Sequence, residues 1–223
     1  MDQNRMPLVE ALQQFREEAP AYFRIPGHRF ERGLDEALNG ASLAAYDLSE
    51  AEGLDDLHHA EGVIAELVNH SPYNIEEAKI IVTGYGCCGR AVAARLKALG
   101  ARVTVLARRR EVRKLAKKDG FYAADFAFGP EEAMGAAMVV NTVPALVVTE
   151  KIIRELPRDA YIVDIASGEG GTDFACAREY GIHADHVLGI PGKYAPKESA
   201  YILERSVERF ILKEKQGEMS DGF

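Results

Sequence analysis

Gly84, Gly86 and Gly89 stand between an apolar run, KIIVT at 79–83, and an alanine-rich segment, AVAARLKAL. That spacing suits one piece of chemistry, the holding of a diphosphate against backbone nitrogens. Gly84 permits the tight turn, Gly86 lets backbone approach the pyrophosphate, and Gly89 lets helix and strand pack closely while the first helical amides face the anion. Tyr85, Cys87 and Cys88 fill the remaining places of the turn. A helix start can depress a thiol pKa, but two adjacent cysteines lack a resolving geometry, so Cys87 and Cys88 are read as small buried spacers.

The end of the next apolar run distinguishes between coenzymes. A site for NAD places Asp or Glu there to bind the ribose diol, whereas this chain has Ala107-Arg108-Arg109-Arg110. Without a carboxylate to repel it, a 2′-phosphate can be gripped by one or two guanidinium groups, which favours NADP over NAD. In an open parallel sheet, ligands sit beyond the carboxyl ends of the strands, so the other loops at that edge belong to the same site. Thr142, Val143 and Pro144 would pack beside a nicotinamide ribose, with Ala166 and Ser167 on the next loop. Gly170, Gly171 and Thr172 offer amides and a hydroxyl at another helix start, with Asp173 as its cap, while Gly192 and Lys193 offer a cation for a carboxylate. His183 and His186 are expected ahead of the sixth strand, at the opposite edge, as structural or solvent-facing residues. No side chain is assigned as catalytic.

These loops need a scaffold. Apolar runs at 79–83, 102–106, 137–143, 160–165 and 186–190, with a weaker one at 121–125, alternate with helical patterns. That rhythm predicts an α/β fold, a Rossmann-like doubly wound parallel sheet of about six strands. Val92, Leu96 and Leu99 form the apolar face of the helix after the first strand, and Gly100 stops it; Leu203, Val207 and Phe210 mark a closing helix from about 196 to 213. The first 74 residues read differently. A helix is expected at 7–19 and a short one at Glu61 to Asn69, joined by turn-rich chain. Such a segment cannot bury itself, so residues 1–74 are expected to form a small turn-rich helical arm at a subunit interface, ahead of a nucleotide domain at 75–223.

A formal net charge of -8 and a sequence with 47% hydrophobic residues fit a globular protein and disfavour nucleic acid as a partner. Three cysteines cannot frame a disulfide scaffold, and His28, Asp55, Asp56, His58 and His59 lack the spacing of a metal site. With no signal-like or membrane-spanning run, the expectation is a cytoplasmic protein.

GYGCCGRAVAARLKALGARVTVLARR, VVNTVPALVVTEKIIRELP, IVDIASGEGGTDFACAREYGI and LGIPGKYAPKESAYIL resemble the C-terminal nucleotide-binding domain of dipicolinate synthase A subunits, over about residues 79–203. The resemblance implies an NAD(P) site and oxidation of a cyclic dicarboxylate of the lysine pathway to pyridine-2,6-dicarboxylate, alongside a flavoprotein-like second subunit. Lys193 and the Gly170 to Asp173 loop become candidates for holding the carboxylates. That family carries an N-terminal α/β domain over the nicotinamide, to which nothing here corresponds. Instead MPLVEAL, YFRIPGHRF and YDLSEAEGLDDLHHAEGVIAEL, at 7–65, resemble the start of pyridoxal-phosphate ornithine/lysine/arginine decarboxylases, where the segment is an arm at a dimer interface. No Ser-x-His-Lys stretch supplies a Schiff-base lysine, so pyridoxal-phosphate catalysis is rejected. The expectation is an NADP-dependent oxidoreductase working as a homo-oligomer; the alternatives are a non-catalytic NAD(P) sensor or oligomerisation module, and a fusion that keeps neither parental activity.

Overall fold

The computed structural model describes residues 49–196, with side chains from residue 60. The helix expected at 7–19, the turn-rich stretch after it, the closing helix at 196–213 and the side chains of His28, Asp55, Asp56, His58 and His59 lie outside the described residues. Asp56–Ile190 forms one compact unit, and the described residues from Pro191 on belong to a second.

Strands β1 (Lys79–Thr83), β2 (Arg102–Leu106), β3 (Tyr122–Ala124), β4 (Met138–Asn141), β5 (Tyr161–Asp164) and β6 (His183–His186) make one sheet. Its order is β3-β2-β1-β4-β5-β6, and every pairing is parallel. The central strands are buried on both faces, which is why IIV, MVV and YIV read as unbroken apolar runs. Helices α2 (Cys87–Ala98), α3 (Arg110–Lys118), α4 (Gly129–Ala133), α5 (Glu150–Ile153) and α6 (Phe174–Glu179) form the crossovers. Ile81, Leu106, Val139, Ile153 and Ile162 are the centre of one core cluster, each such side chain contributing about 1.5–3 kcal/mol by burial. The strand order reverses between β1 and β4, so the ligand crevice lies at their carboxyl ends.

Three expectations are corrected. Helix α1 runs continuously from Ser49 to His70, not from Glu61: Ala60, Val63 and Leu67 are buried one or two turns apart, and interior glycines such as Gly62 cost a helix only about 1 kcal/mol each. Leu99 is 47% exposed; it caps α2 instead of extending the stripe of Val92 and Leu96, and Gly100 adopts φ +86 to end the helix. The sixth strand is His183–His186, not 186–190. As an edge strand it has one neighbour, and polar residues suffice there, whereas Leu188 is exposed and Gly189 turns at φ +66 into α7 (Ile190–Tyr194).

Candidate coenzyme site

The turn after β1 is built around missing Cβ atoms. Gly84 has φ +84 and donates its N–H to the Leu106 carbonyl at 2.8 Å; a Cβ there would lie 2.6 Å from Thr142 Oγ1. A Cβ on Gly89 would meet the Gly84 carbonyl at 2.7 Å. Both glycines are therefore demanded by packing inside the protein. Gly86 is different: nothing lies within 4 Å of its Cβ position. It caps α2 without any side-chain hydrogen bond, and no acidic residue stands in the first turn. Open space in front of uncapped amides fits a diphosphate, which would lie against the N–H groups past Gly86.

Around this turn the side chains take definite places. Tyr85 is buried and turned away from the opening; its hydroxyl donates to Asp119 at 2.9 Å, and its ring meets Phe121 edge-on. Burial, then the Asp119 hydrogen bond, pushes its pKa up to about 12. Cys87 is exposed and Cys88 half-buried, which corrects their reading as buried spacers: the helix start opens to solvent, as an anion site must.

Thr142 donates from Oγ1 to the Thr83 carbonyl at 2.7 Å and so ties the β4 loop to the turn. Asn141, fully buried, accepts from the Thr83 hydroxyl and from the Val143 N–H, and donates to the Val143 carbonyl. This holds Val143 half-buried with Pro144 exposed beside it. At the end of β2, Ala107 is buried while Arg108, Arg109 and Arg110 are exposed, and Arg109 caps α3. Among the described residues none of these three arginines has an ion pair.

The loop after β5 is organised by Asp164, fully buried at the strand end. It accepts from the Ala166 N–H (3.0 Å), the Gly171 N–H (2.8 Å) and the Thr172 hydroxyl (2.7 Å). A Cβ on Gly171 would fall 2.3 Å from the Val143 and Ala145 carbonyls, and one on Gly170 would fall 2.9 Å from Asp164 Oδ2. The two loops are thus pressed together, and the amide and hydroxyl expected to face a substrate are already spent on Asp164. Asp173 caps α6 by accepting from the Cys176 N–H at 3.0 Å. Ser167 remains exposed. His183 and His186 are within β6, not ahead of it. His183 starts the strand, near Tyr161 and Asp185, but His186 ends it at the coenzyme edge, its Nε2 2.8 Å from the Ala166 carbonyl. Gly192 and Lys193 lie on α7, in the second unit, where the Lys193 ammonium sits 5.1 Å from the Tyr194 ring.

Sequence reasoning places Asn141 in the loop after the fourth strand without giving it a role and passes over Asp164, although a lone polar residue ending an otherwise apolar run (MVVN, YIVD) is a visible signal. It also passes over Arg113, which nothing in the local spacing sets apart from its basic neighbours. A cavity of about 470 Å³ opens at the other edge of the sheet, beside Lys97, Arg102 and Phe121. Lys97 is engaged there by the Asp119 and Gly120 carbonyls. Among the described residues no cluster could hold a metal ion, and no helix is long and apolar enough to cross a membrane.

A doubly wound parallel sheet whose first strand runs through a glycine turn into an uncapped helix is a dinucleotide-binding domain. The family model for the NAD binding domain of D-isomer specific 2-hydroxyacid dehydrogenases matches residues 50–171, more than half of the chain of 223 residues. The chain belongs to that family, and its coenzyme is a nicotinamide dinucleotide. The dipicolinate synthase A subunit of Bacillus subtilis (strain 168) is 31% identical over 158 residues, 71% of this chain and 53% of the relative. The crystal structure of the dipicolinate synthase A subunit from Bacillus halodurans superposes with a TM-score of 0.71 at 29% identity, covering 83% of this chain and 64% of that one. An arginine decarboxylase of Bacillus cereus is 39% identical over 69 residues, 30% of this chain and 15% of the relative. The chain therefore spans about half of the synthase polypeptide, and a small part of the decarboxylase, that it matches.

Proposed function

We propose that this chain is the coenzyme-binding part of an NADP-dependent oxidoreductase of the dipicolinate synthase A-subunit type, acting on a small cyclic dicarboxylate. The observation that carries the NADP preference is the end of β2, where two exposed guanidinium groups, Arg108 and Arg109, stand where a ribose-binding carboxylate would repel a 2′-phosphate. In this reading the amides past Gly84 and Gly86 hold the diphosphate. Thr142, Val143 and Pro144, held by Asn141, form the wall beside the nicotinamide ribose, with Ala166 and Ser167 opposite.

When bound, the nicotinamide supplies the acceptor for a hydride. The substrate ring gives up that hydride and a proton as it becomes aromatic. This chain contributes binding and orientation. Lys193, with Gly192, is proposed as a holder of a substrate carboxylate; in the Gly170 to Asp173 loop, proposed for the same role, Asp164 already engages the Gly171 amide and the Thr172 hydroxyl. The chain ahead of the compact unit that begins at Asp56 is proposed as an interfacial arm in a homo-oligomer, and a flavoprotein-like second subunit as a partner.

That engagement by Asp164 also favours a second reading, a module that binds coenzyme without turning over substrate. Fluorescence titration with NADPH, paired with an NADP-reduction assay on dihydrodipicolinate, which needs to lose only one hydride and one proton to become aromatic, separates the two. Binding with turnover is expected for the oxidoreductase; tight binding without turnover, in the presence of candidate second subunits, would establish the sensor instead.

A further inference from the structure

The residue that organises the β2 end is not one of the exposed arginines. Arg113, in the first turns of α3, is only 22% exposed, and its Nη1 lies 2.7 Å from the Ala107 carbonyl, 2.5 Å from the Arg108 carbonyl and 2.5 Å from Asp125 Oδ2. Asp125 directly follows β3, and β3 pairs with β2 so that Leu106 faces Ala124. Its other oxygen accepts from the Ala127 N–H at 3.2 Å, which fixes the carboxylate, and the Ala107 N–H donates to Ala124 at 3.0 Å. One guanidinium thus ties together the carboxyl ends of two neighbouring strands and holds the backbone from which Arg108 and Arg109 project.

We propose that Arg113, anchored by Asp125, is the positioning residue for coenzyme selectivity: it holds the 107–108 backbone so that Arg108 and Arg109 meet an adenosine 2′-phosphate, and it neutralises the Asp125 carboxylate. This rests on the NADP reading above. Two physical points support it. A carbonyl pair bound from the helix side cannot rotate, so the two exposed side chains start from one backbone geometry and lose less freedom on binding. A carboxylate at the end of β3 left unpaired would repel a 2′-phosphate and attract a ribose diol, the reverse preference. Arg113 itself, with its charge matched by Asp125, adds little net attraction, so its effect passes through its neighbours.

The test uses the full chain and calorimetric titration with adenosine 2′,5′-bisphosphate and AMP, which differ only in the 2′-phosphate. Wild type is expected to bind the bisphosphate at least tenfold more tightly. Arg113→Met is expected to cut that ratio at least fivefold while AMP affinity stays within twofold, and Arg113→Lys to restore part of it. A merely structural role would weaken both ligands alike and leave the ratio unmoved. An unchanged ratio in Arg113→Met overturns the inference while the NADP reading stands; a wild-type ratio near one overturns the NADP reading and the inference with it. If circular dichroism shows Arg113→Met unfolded, Arg113→Gln, which keeps a donor, is held to the same criterion.

Discussion

At the scale of single residues, the glycines of the turn were legible because they answer to backbone geometry, which sequence states directly. Gly89 makes the sharpest case. A methyl group 2.7 Å from the Gly84 carbonyl has no flexible neighbour to push aside. Gly89→Ala is expected to cost about 1–3 kcal/mol in chemical denaturation, as overpacking does, and to weaken NADPH binding at least tenfold; retained affinity would mean that the turn does not hold the diphosphate. For the coenzyme preference, Arg108→Asp with Arg109→Ser removes two charge-assisted contacts, each worth about 1.5–3 kcal/mol, so the ratio of NADPH to NADH affinity is expected to fall about 100-fold or more. Tyr85 yields a prediction in pH. Its phenol is raised from 10.0 to about 12 in the folded protein, so the stability it contributes is complete below pH 10 and is lost as pH climbs through 12. The stability difference between wild type and Tyr85→Phe is therefore expected to shrink between pH 10 and 12; a constant difference would show that the phenol does not titrate with folding.

Elements differ in how much of themselves they announce. The four inner strands were visible because burial on both faces demands uninterrupted apolar residues. Strand β6 was misplaced because an edge strand is defined by the neighbour it pairs with, and HADH carries no apolar run. The same limit hid the organising roles of Asn141 and Asp164, which depend on loops that meet only when β4 and β5 lie side by side. Asp164 is the more demanding of the two. Its removal by Asp164→Ala orphans the Ala166 and Gly171 amides and the Thr172 hydroxyl, each at about 1–3 kcal/mol, so the protein is expected to lose several kcal/mol. Asp164→Asn, which keeps an acceptor, is expected to lose less. Urea denaturation of both variants tests this ordering, and equal losses would contradict it.

For the molecule as a whole, coenzyme binding must appear as stabilisation, since the cradle exists only in the folded sheet. At NADPH one hundred times its dissociation constant, the gain is about 2.7 kcal/mol, which for a chain of this size raises Tm by roughly 5–10 °C. No rise in a thermal-shift series up to millimolar NADPH would remove the basis for the proposed function. From sequence alone came the parallel α/β order, the glycine turn and the absence of an acidic residue after β2, because each is encoded in local spacing: period, backbone freedom and the type of residue at one strand end. Tertiary structure alone decided which polar groups are free to meet a ligand. It bound Tyr85 to Asp119, the Thr172 hydroxyl to Asp164 and Arg113 to the β2 carbonyls, since a hydrogen bond belongs to whichever partner packing brings within reach, and those partners are set by the fold and not by local spacing.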